Sequence, residues 1–359
     1  NTCSVRDQAE RKAIGKVGIL KRLKRERPEI IIGVIGCMAQ NYGRRLLDEL
    51  PHVDVVVGTD RLHLLPEILA DVLGGHRGQV HTEPGTEVLG RLRGHEKGKV
   101  SAFISVMRGC NQFCTYCIVP YVRGREKSRS IEAIVAEVEE VVANGAREIF
   151  LLGQNITAYG VAELRQQKRW TGQESPLADL LRAVDAVPGV ARLRFTSPHP
   201  KYMNDVFIEA ITTLPSVCEA FHVPLQSGCD RLLTAMHRGY SSAAYLNRIA
   251  AIRSGRPGSV FTTDVIVGFP GEGDDDFAAT RQVMETVGFE MAYVFKYSPR
   301  DGTKAASLAD DVPQEVKEAR NQLLLQDLAA RSEAANQKRV GTEVGVLVEG
   351  PSKRNAARW

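Results

Sequence analysis

The sequence is poor in cysteine and in aromatic residues, carries little net charge and contains no long apolar run. Seven cysteines among 359 residues are an odd number and too few for a disulfide scaffold in a chain of this length. No stretch approaches the roughly 18 consecutive apolar residues that span a bilayer, and the opening NTCSVRDQAERK does not resemble a secretory signal. These absences argue against a disulfide-rich secreted protein and against a membrane-spanning helix, and they make a cytosolic location the default expectation.

The charge balance is also uninformative on its own. Lysine and arginine number 47 against 43 aspartates and glutamates, and a net charge of +4 is too small to indicate a nucleic-acid partner. The hydrophobic content of 43% is that of an ordinary globular protein, and a chain this long can bury a large core and form two or more domains. Local motifs therefore have to carry the functional argument.

The middle of the chain alternates apolar runs of strand length with segments of helical periodicity. Residues 131 to 142 show the helical spacing most clearly, with Ser130 placed to cap the helix and Gly145 just past its end. Six repeats of strand and helix predict a parallel sheet, and because a closed barrel needs eight, we expect an α/β fold with a partial (β/α)6 TIM-like barrel. The predicted strands are 102–107, 148–152, 192–196, 220–224, 261–268 and 291–297.

Unusual sequences follow each predicted strand. They are RGCNQFC, GQN, TSPHP, QSGCD, FPGE and SPRDGT, in chain order. The carboxyl ends of the strands carry the functional loops in parallel barrels, so we expect these six segments to surround one cavity.

The first of these loops contains Cys110, Cys114 and Cys117. Zinc sites commonly use two CxxC pairs, and ferredoxin clusters use four thiolates at repeated CxxC spacing, so neither matches a CxxxCxxC loop well. Three thiolates can instead hold three irons of a 4Fe-4S cluster and leave the fourth iron open to bind and reduce another molecule. The spacing therefore favours a catalytic cluster.

The segment CNQFCTYC, with aromatic Tyr116 just before the third thiol, resembles the signature of the radical S-adenosylmethionine (SAM) enzymes. The resemblance implies a partial TIM barrel in which Cys110, Cys114 and Cys117 are catalytic and hold a 4Fe-4S cluster. It also implies that SAM chelates the open iron and that reductive cleavage of SAM generates a 5'-deoxyadenosyl radical, with the protein positioning and shielding the reaction.

The same resemblance assigns further residues to SAM binding. Gly153, Gln154 and Asn155 stand where these enzymes place the loop that meets the SAM amino group, and VIVGFPGE, with Gly268 and Gly271, resembles their adenine-contacting turn. Arg238 is a candidate partner of the SAM carboxylate. The alternatives are that the glycines only make turns and that Arg238 is a solvated residue at a helix end.

The beginning of the chain resembles the first domain of the radical SAM methylthiotransferases. The matching segments are NTCSVRDQAERK and IIGVIGCMAQ, and in that family this α/β domain holds a second, auxiliary 4Fe-4S cluster through three cysteines. Cys3 and Cys37 match two of the ligands. The third ligand should precede Asn1, so we expect that the sequence starts inside the motif.

The resemblance extends over most of the chain and predicts its domain organisation. We expect an incomplete methylthiotransferase domain over 1–75, a linker over 76–98 and a radical SAM core over 99–338. Residues 339–359, with VGTEVGVLVEGPSKR, resemble the first strand of the family's RNA-binding TRAM β-barrel, most of which the sequence lacks.

NTCSVR and PYVRGREKSR most resemble the MiaB-type methylthiotransferases, which convert N6-isopentenyladenosine beside the tRNA anticodon to the 2-methylthio derivative. The resemblance implies that one SAM methylates sulfur at the auxiliary cluster, while a second yields the radical that takes hydrogen from C2 of the adenosine. It further implies a monomer that uses tRNA, an external electron donor and an iron-sulfur or sulfur carrier protein.

Four basic residues follow the cysteine loop and are candidates for contact with tRNA phosphates. The competing interpretation is that they bind carboxylates within the protein. They are Arg123, Arg125, Lys127 and Arg129.

Other functions remain open on the sequence. Related methylthiotransferases act on threonylcarbamoyladenosine in tRNA or on an aspartate of a ribosomal protein. A different radical SAM chemistry would use only the first cluster, whereas a non-catalytic iron-sulfur or zinc RNA-binding protein would not need five further shaped loops.

Overall fold

The computed structural model describes residues 1–4, 7–85, 98–352, 354–355 and 357. The chain forms two compact units, each assembled from several stretches of sequence. The first unit consists of Asn1–Leu92, Gly109–Arg125 and Ser298–Ser307, and the second of Arg93–Arg108, Glu126–Tyr297 and Leu308–Trp359. None of the seven cysteines forms a disulfide in the structure. Within the described residues, no helix is both long enough and apolar enough to cross a membrane.

The first unit contains a three-stranded parallel sheet with helices on both faces. Its strand order is β1-β2-β3, and the pairs Val34–Val56 and Val56–Val80 fix the register. Val34 and Val56 pack towards α1, whereas Val55 and Val57 pack towards α4. The elements are α1 (Asp7–Glu26), β1 (Gly33–Ile35), α2 (Cys37–Tyr42), α3 (Arg44–Glu49), β2 (Val55–Val57), α4 (Leu65–Leu73), β3 (Gln79–His81) and α5 (Val119–Arg123).

The small α/β domain predicted from the sequence is therefore present. Its strand β3 lies in the segment 76–98, which was expected to be a linker. Residues 86–97 of that segment lie outside the described residues.

The second unit contains the six parallel strands that were predicted. They form two three-stranded sheets, β4-β7-β8 and β9-β10-β11, and a parallel bridge between Leu193 and Val217 connects β8 to the segment before β9. The six parallel strands are β4 (Ser101–Ser105), β7 (Glu148–Leu152), β8 (Arg192–Phe195), β9 (Ala220–His222), β10 (Val260–Val267) and β11 (Met291–Lys296). Two further short strands, β5 (Met107–Arg108) and β6 (Lys127–Ser128), lie between β4 and β7 in sequence. The short β5 and β6 pair antiparallel beside this partial barrel.

Helices connect the parallel strands and cover one face of the sheets. Ile104, Ile149 and Leu193 alternate with more exposed residues and pack against helix residues such as Ile134 and Leu180 in one large core. The helices are α6 (Ile131–Ala143), α7 (Val161–Gln166), α8 (Pro176–Asp185), α9 (Asp205–Thr213), α10 (Asp230–Ala235), α11 (Ser242–Gly255), α12 (Asp274–Val287) and α13 (Gln314–Gln337).

Local sequence signals set the ends of these helices. Ser130 caps α6 by accepting a hydrogen bond from the Ala133 N–H, as predicted, and Gly145 follows the helix with φ of 108°. The strand expected in the C-terminal segment does not form among its described residues. Val344, Val346 and Val348 are exposed there, because an alternating segment needs a neighbouring strand to bury its apolar face.

Candidate functional site

The cysteine loop folds as part of the first unit, although in sequence it lies between strands of the second. Its ends are pinned by the Cys110 N–H, which donates to the Gly124 carbonyl at 3.1 Å. Gly109 has φ of 77°, and a Cβ there would collide with the Arg125 carbonyl, so only glycine fits this crossing. Contacts within the protein therefore hold the two ends of the loop together.

The three thiols of the loop lie on a compact turn. The Cys117 N–H donates to the Cys114 carbonyl at 3.0 Å, and the Gln112 N–H points to the Cys110 Sγ at 3.4 Å. Cys110 and Cys114 are buried and Cys117 is partly exposed. No group of three His, Cys, Asp or Glu side chains among the described residues is already arranged as a metal-ligand set, so the thiols are not in ligand geometry. The donor chemistry nevertheless fits an iron-sulfur cluster, because three thiols share one closed turn and a backbone N–H faces one sulfur.

Aromatic and backbone contacts complete this loop. Phe113 adopts a positive φ of 50°, and the Arg125 guanidinium lies 4.5 Å from the centre of its ring. Tyr116 is partly buried. The segment after the sixth strand joins the loop, because the Ala305 N–H donates to the Thr115 carbonyl at 2.8 Å. The first and sixth of the predicted functional loops therefore do meet.

Cys3 and Cys37 are brought together within the same unit. Thr2 pairs with Gly36, the Thr2 N–H donates to the Ile35 carbonyl, and the Cys37 N–H donates to the Thr2 carbonyl at 3.1 Å. Gly36 has φ of 99°, and a Cβ there would lie 2.7 Å from the Thr2 carbonyl oxygen. The segment that carries Cys3 is thus fixed against the residues around Cys37.

A polar cavity of about 120 Å³ lies next to these cysteine segments. Its walls include Ser4, which follows Cys3, and Ile118, which follows Cys117. The buried Glu10 accepts a hydrogen bond from Arg300 at 3.1 Å and contacts Ser4, so the carboxylate is held by partners inside the unit. No local motif indicates this cavity, because its walls come from distant parts of the chain.

The second unit places the other candidate SAM-binding residues on loops at the carboxyl ends of its strands. Gln154 Oε1 and Asn155 Nδ2 are buried and have no hydrogen-bond partner among the described residues. Buried polar atoms normally have partners, so these two atoms are suited to a polar ligand. Gly153 also has a packing reason to be glycine, since a Cβ would lie 2.7 Å from the Met107 Cγ.

Arg238 is buried, with 5% of its surface exposed, so it is not the solvated helix-end residue of the alternative interpretation. Its Nε donates to the Tyr240 hydroxyl at 3.2 Å. Tyr240 also contacts the ring of His199, 5.6 Å away between centres. Arg238 thus belongs to a buried polar group formed by the segment after β8 and the connection between α10 and α11.

Gly268 and Gly271 already have partners within the protein. The Gly268 N–H donates to Glu272, and the Gly271 N–H donates to Asp311 at 2.7 Å. Arg320 of α13 binds the same Glu272 at 3.0 Å. The glycine turn is therefore tied to α13, and a contact of its backbone with adenine remains a prediction.

All four basic residues proposed for RNA contact have interactions within the protein. Arg123 Nε donates to the Cys37 Sγ at 3.0 Å, and Arg129 forms an ion pair with Glu137 at 2.7 Å. Arg125 lies over Phe113 but is exposed, whereas Lys127 is partly buried in β6. Contact of any of the four with phosphates remains a prediction.

His199 lies in the TSPHP segment after β8, in an unusual environment for a histidine. Its side chain is 5% exposed, its Nδ1 accepts from the Lys201 N–H at 3.3 Å, and its Nε2 has no hydrogen-bond partner within the described part of the chain. Burial, reinforced by Arg238 and Lys201, holds the pKa of the imidazole well below its usual range. The signal available in the sequence was only its position after a strand, in TSPHP.

Comparison with known proteins extends these observations. Residues 104–284 match the Radical SAM superfamily, and residues 1–58 match the uncharacterized protein family UPF0004. A tRNA-2-methylthio-N(6)-dimethylallyladenosine synthase of Opitutus terrae is 44% identical over 98% of this chain and 79% of its own length. The protein of the same name from Akkermansia muciniphila is 42% identical over 100% of this chain and 81% of its own length.

A solved structure supports the fold at much lower sequence identity. The radical S-adenosylmethionine methyltransferase TsrM from Kitasatospora setae, with tryptophan and a SAM analogue bound, has a TM-score of 0.60 at 15% identity. The match covers 79% of this chain and 58% of that protein. At this identity the similarity concerns the fold alone.

Proposed function

Because the chain belongs to the radical SAM superfamily and, within it, to the tRNA-2-methylthio-N(6)-dimethylallyladenosine synthases, we propose that it methylthiolates C2 of N6-dimethylallyladenosine beside the tRNA anticodon. The observation that carries the proposal is 44% identity over nearly the whole chain to an enzyme of that name. The closed loop of Cys110, Cys114 and Cys117 supports it independently. The protein is thus a transferase that uses SAM.

Two sets of thiols divide the work in this proposal. Cys110, Cys114 and Cys117 would hold the SAM-binding 4Fe-4S cluster, and Cys3 and Cys37 would hold the auxiliary cluster with a third ligand. When bound, these groups supply the one-electron cleavage of SAM and the sulfur for transfer. The closed base at Gly109 and the pairing of Thr2 with Gly36 keep each set of thiols together.

Polar groups of the second unit would bind SAM. Gln154 Oε1 and Asn155 Nδ2, both unpartnered within the described residues, could accept from its ammonium group and donate to one of its oxygens, respectively, and Arg238 would bind its carboxylate. Tyr116, Gly153, Gly268 and Gly271 would provide the remaining contacts. Exposed Arg125, with Lys127, neutralises phosphates of the anticodon stem-loop.

The partners follow from this chemistry. Reductive cleavage of SAM requires an external electron donor, and each turnover consumes sulfur that an iron-sulfur or sulfur carrier protein must replace. We place the enzyme in the cytoplasm, where tRNA is modified, and we propose that it acts as a monomer because the residues assigned to the reaction come from one chain.

The proposal is tested by product analysis with the full-length protein. The clusters are reconstituted without oxygen, and reductant, SAM and tRNA that contains N6-dimethylallyladenosine are added before mass spectrometry of the digested nucleosides. We expect the methylthio nucleoside to form, to disappear with Cys3→Ala, and to persist with Cys218→Ala, which replaces a cysteine outside both sets. Formation of 5'-deoxyadenosine with unchanged tRNA would show that the substrate is wrong, and no SAM cleavage at all would overturn the enzyme assignment.

A further inference from the structure

The short helix α5 (Val119–Arg123) connects the two sets of cysteines inside the first unit. It begins two residues after Cys117, and its last residue, Arg123, reaches the Cys37 sulfur. Sequence separates Arg123 and Cys37 by 86 positions, so tertiary packing alone creates this contact.

The packing that holds α5 in place is specific. Ile118 and Val122 bury their side chains against Cys37, and all three residues are less than 6% exposed. The buried Thr59 hydroxyl donates to the Val122 carbonyl at 2.9 Å, which anchors the same turn to the loop after β2. The position of Arg123 is therefore fixed by neighbours on both sides.

Arg123 presents one N–H to the sulfur in an otherwise apolar environment. The Nε to Sγ distance is 3.0 Å, and Cys37 is 5% exposed. A charged guanidinium donor beside a buried sulfur withdraws electron density from it, and hydrogen bonds to ligand sulfurs are a recognised determinant of cluster reduction potentials.

We propose that Arg123 is a positioning residue of the auxiliary cluster, which orients the Cys37 thiolate and raises the reduction potential of the cluster that it binds. This inference rests on the proposed function, because it requires Cys37 to be a cluster ligand. It gives Arg123 a role different from the phosphate contact that the sequence suggested. It also makes α5 a physical link between the SAM-cleaving loop and the auxiliary site.

The experiment isolates the auxiliary cluster in the full-length protein. The background variant carries Cys110→Ala, Cys114→Ala and Cys117→Ala, so that only the auxiliary site can bind iron. Arg123→Gln, Arg123→Lys and the control Arg125→Gln are added to it, and each protein is reconstituted anaerobically. Iron and sulfide content and an electron paramagnetic resonance redox titration give occupancy and midpoint potential. Arg125→Gln removes the same charge two residues away, where no bond to Cys37 exists.

We expect Arg123→Gln to shift the midpoint to a more negative potential, Arg123→Lys to shift it less, and Arg125→Gln to leave it unchanged. Lower iron occupancy in a folded Arg123→Gln protein, with full occupancy in Arg125→Gln, also supports the positioning role. If Arg123→Gln does not fold, the Arg123→Lys titration decides, because it keeps the charge and changes the donor. An unchanged midpoint together with full iron occupancy in the folded Arg123 variants overturns the inference alone. A background variant that binds no iron overturns the auxiliary cluster and the inference together.

Discussion

At the scale of single residues, His199 is an ionisable side chain that is almost fully buried. Its pKa is lowered chiefly by burial and further by Arg238 and Lys201. The unfolded chain therefore binds a proton near pH 6.5 that the folded chain does not bind, and stability falls as the pH drops below that value. We expect this group to cost about 1 kcal/mol of stability between pH 6.5 and 5.5, because the unfolded imidazole goes from half to almost fully protonated over that range.

Urea unfolding at pH 7.5, 6.5 and 5.5 measures this effect in the wild type and in His199→Gln. The variant should lose less stability on acidification. The matched control is His76→Gln, which replaces a histidine with a 74% exposed side chain. Equal slopes for His199→Gln and the wild type would contradict the assignment of the effect to His199.

A functional residue could be recognised from the sequence only where its motif lies within a few consecutive residues. The spacing of Cys110, Cys114 and Cys117 is visible in eight consecutive residues, and the closed turn agrees with it. The bond between Arg123 and Cys37 was invisible, because it joins distant segments that meet only through the packing of α5. An arginine in a basic run looks the same in sequence whether it meets phosphate or sulfur.

At the scale of elements, the strands and helices with strong periodicity were predicted well. The strand at 148–152 and the helix beginning at Ile131 were placed at their observed bounds, because apolar alternation and a serine cap are local signals. The C-terminal strand was not found, since its expected partners are absent from the described residues and Val346 is 75% exposed. A strand depends on its neighbour, whereas a capped helix carries most of its information within itself.

Gly36 provides a test of the element that carries Cys3. Gly36→Ala places a Cβ against Asn1 and Thr2 at a φ of 99°, so the N-terminal segment must move away from Cys37. We expect this variant to lose the auxiliary cluster while it keeps the SAM-binding cluster. Iron and sulfide content, with 5'-deoxyadenosine formation as the readout of the second cluster, measures both outcomes.

The matched control is Gly18→Ala in α1, where an added Cβ meets no atom within 4 Å. It should retain both clusters and raise the helix stability by roughly 0.5–1 kcal/mol, since alanine favours a helix more than glycine does. Retention of all iron by Gly36→Ala would show that the Thr2–Gly36 pairing does not hold the auxiliary site.

At the scale of the whole molecule, the sequence predicted the two kinds of domain but not the packing of the cysteine loop. The loop was expected in the radical SAM core, and residues 104–284, which contain it, match the Radical SAM superfamily, while in the structure the loop packs with the N-terminal α/β unit. The physical reason is visible in its contacts, because Ile118 and Val122 pack on Cys37 and the Thr59 hydroxyl binds the Val122 carbonyl. Order along the chain could not reveal this, since β5 and β6 on either side of the loop belong to the barrel unit.

The different surroundings of Arg125 and Arg123 predict how each contributes to tRNA binding by the whole protein. Each lysine or arginine that neutralises a phosphate adds about 0.7–0.9 to the slope of log K against log salt concentration. Arg125 is exposed and lies two residues from Arg123, whose Nε donates a hydrogen bond to the Cys37 Sγ. We expect Arg125→Ala to weaken binding of dimethylallyl-modified tRNA and to reduce that slope by about one contact, whereas Arg123→Gln leaves the slope unchanged.

Fluorescence titrations between 50 and about 200 mM salt measure both variants. A reduced slope for Arg123→Gln would instead assign Arg123 to the RNA, because a bond to sulfur inside the protein releases no counterions from the tRNA.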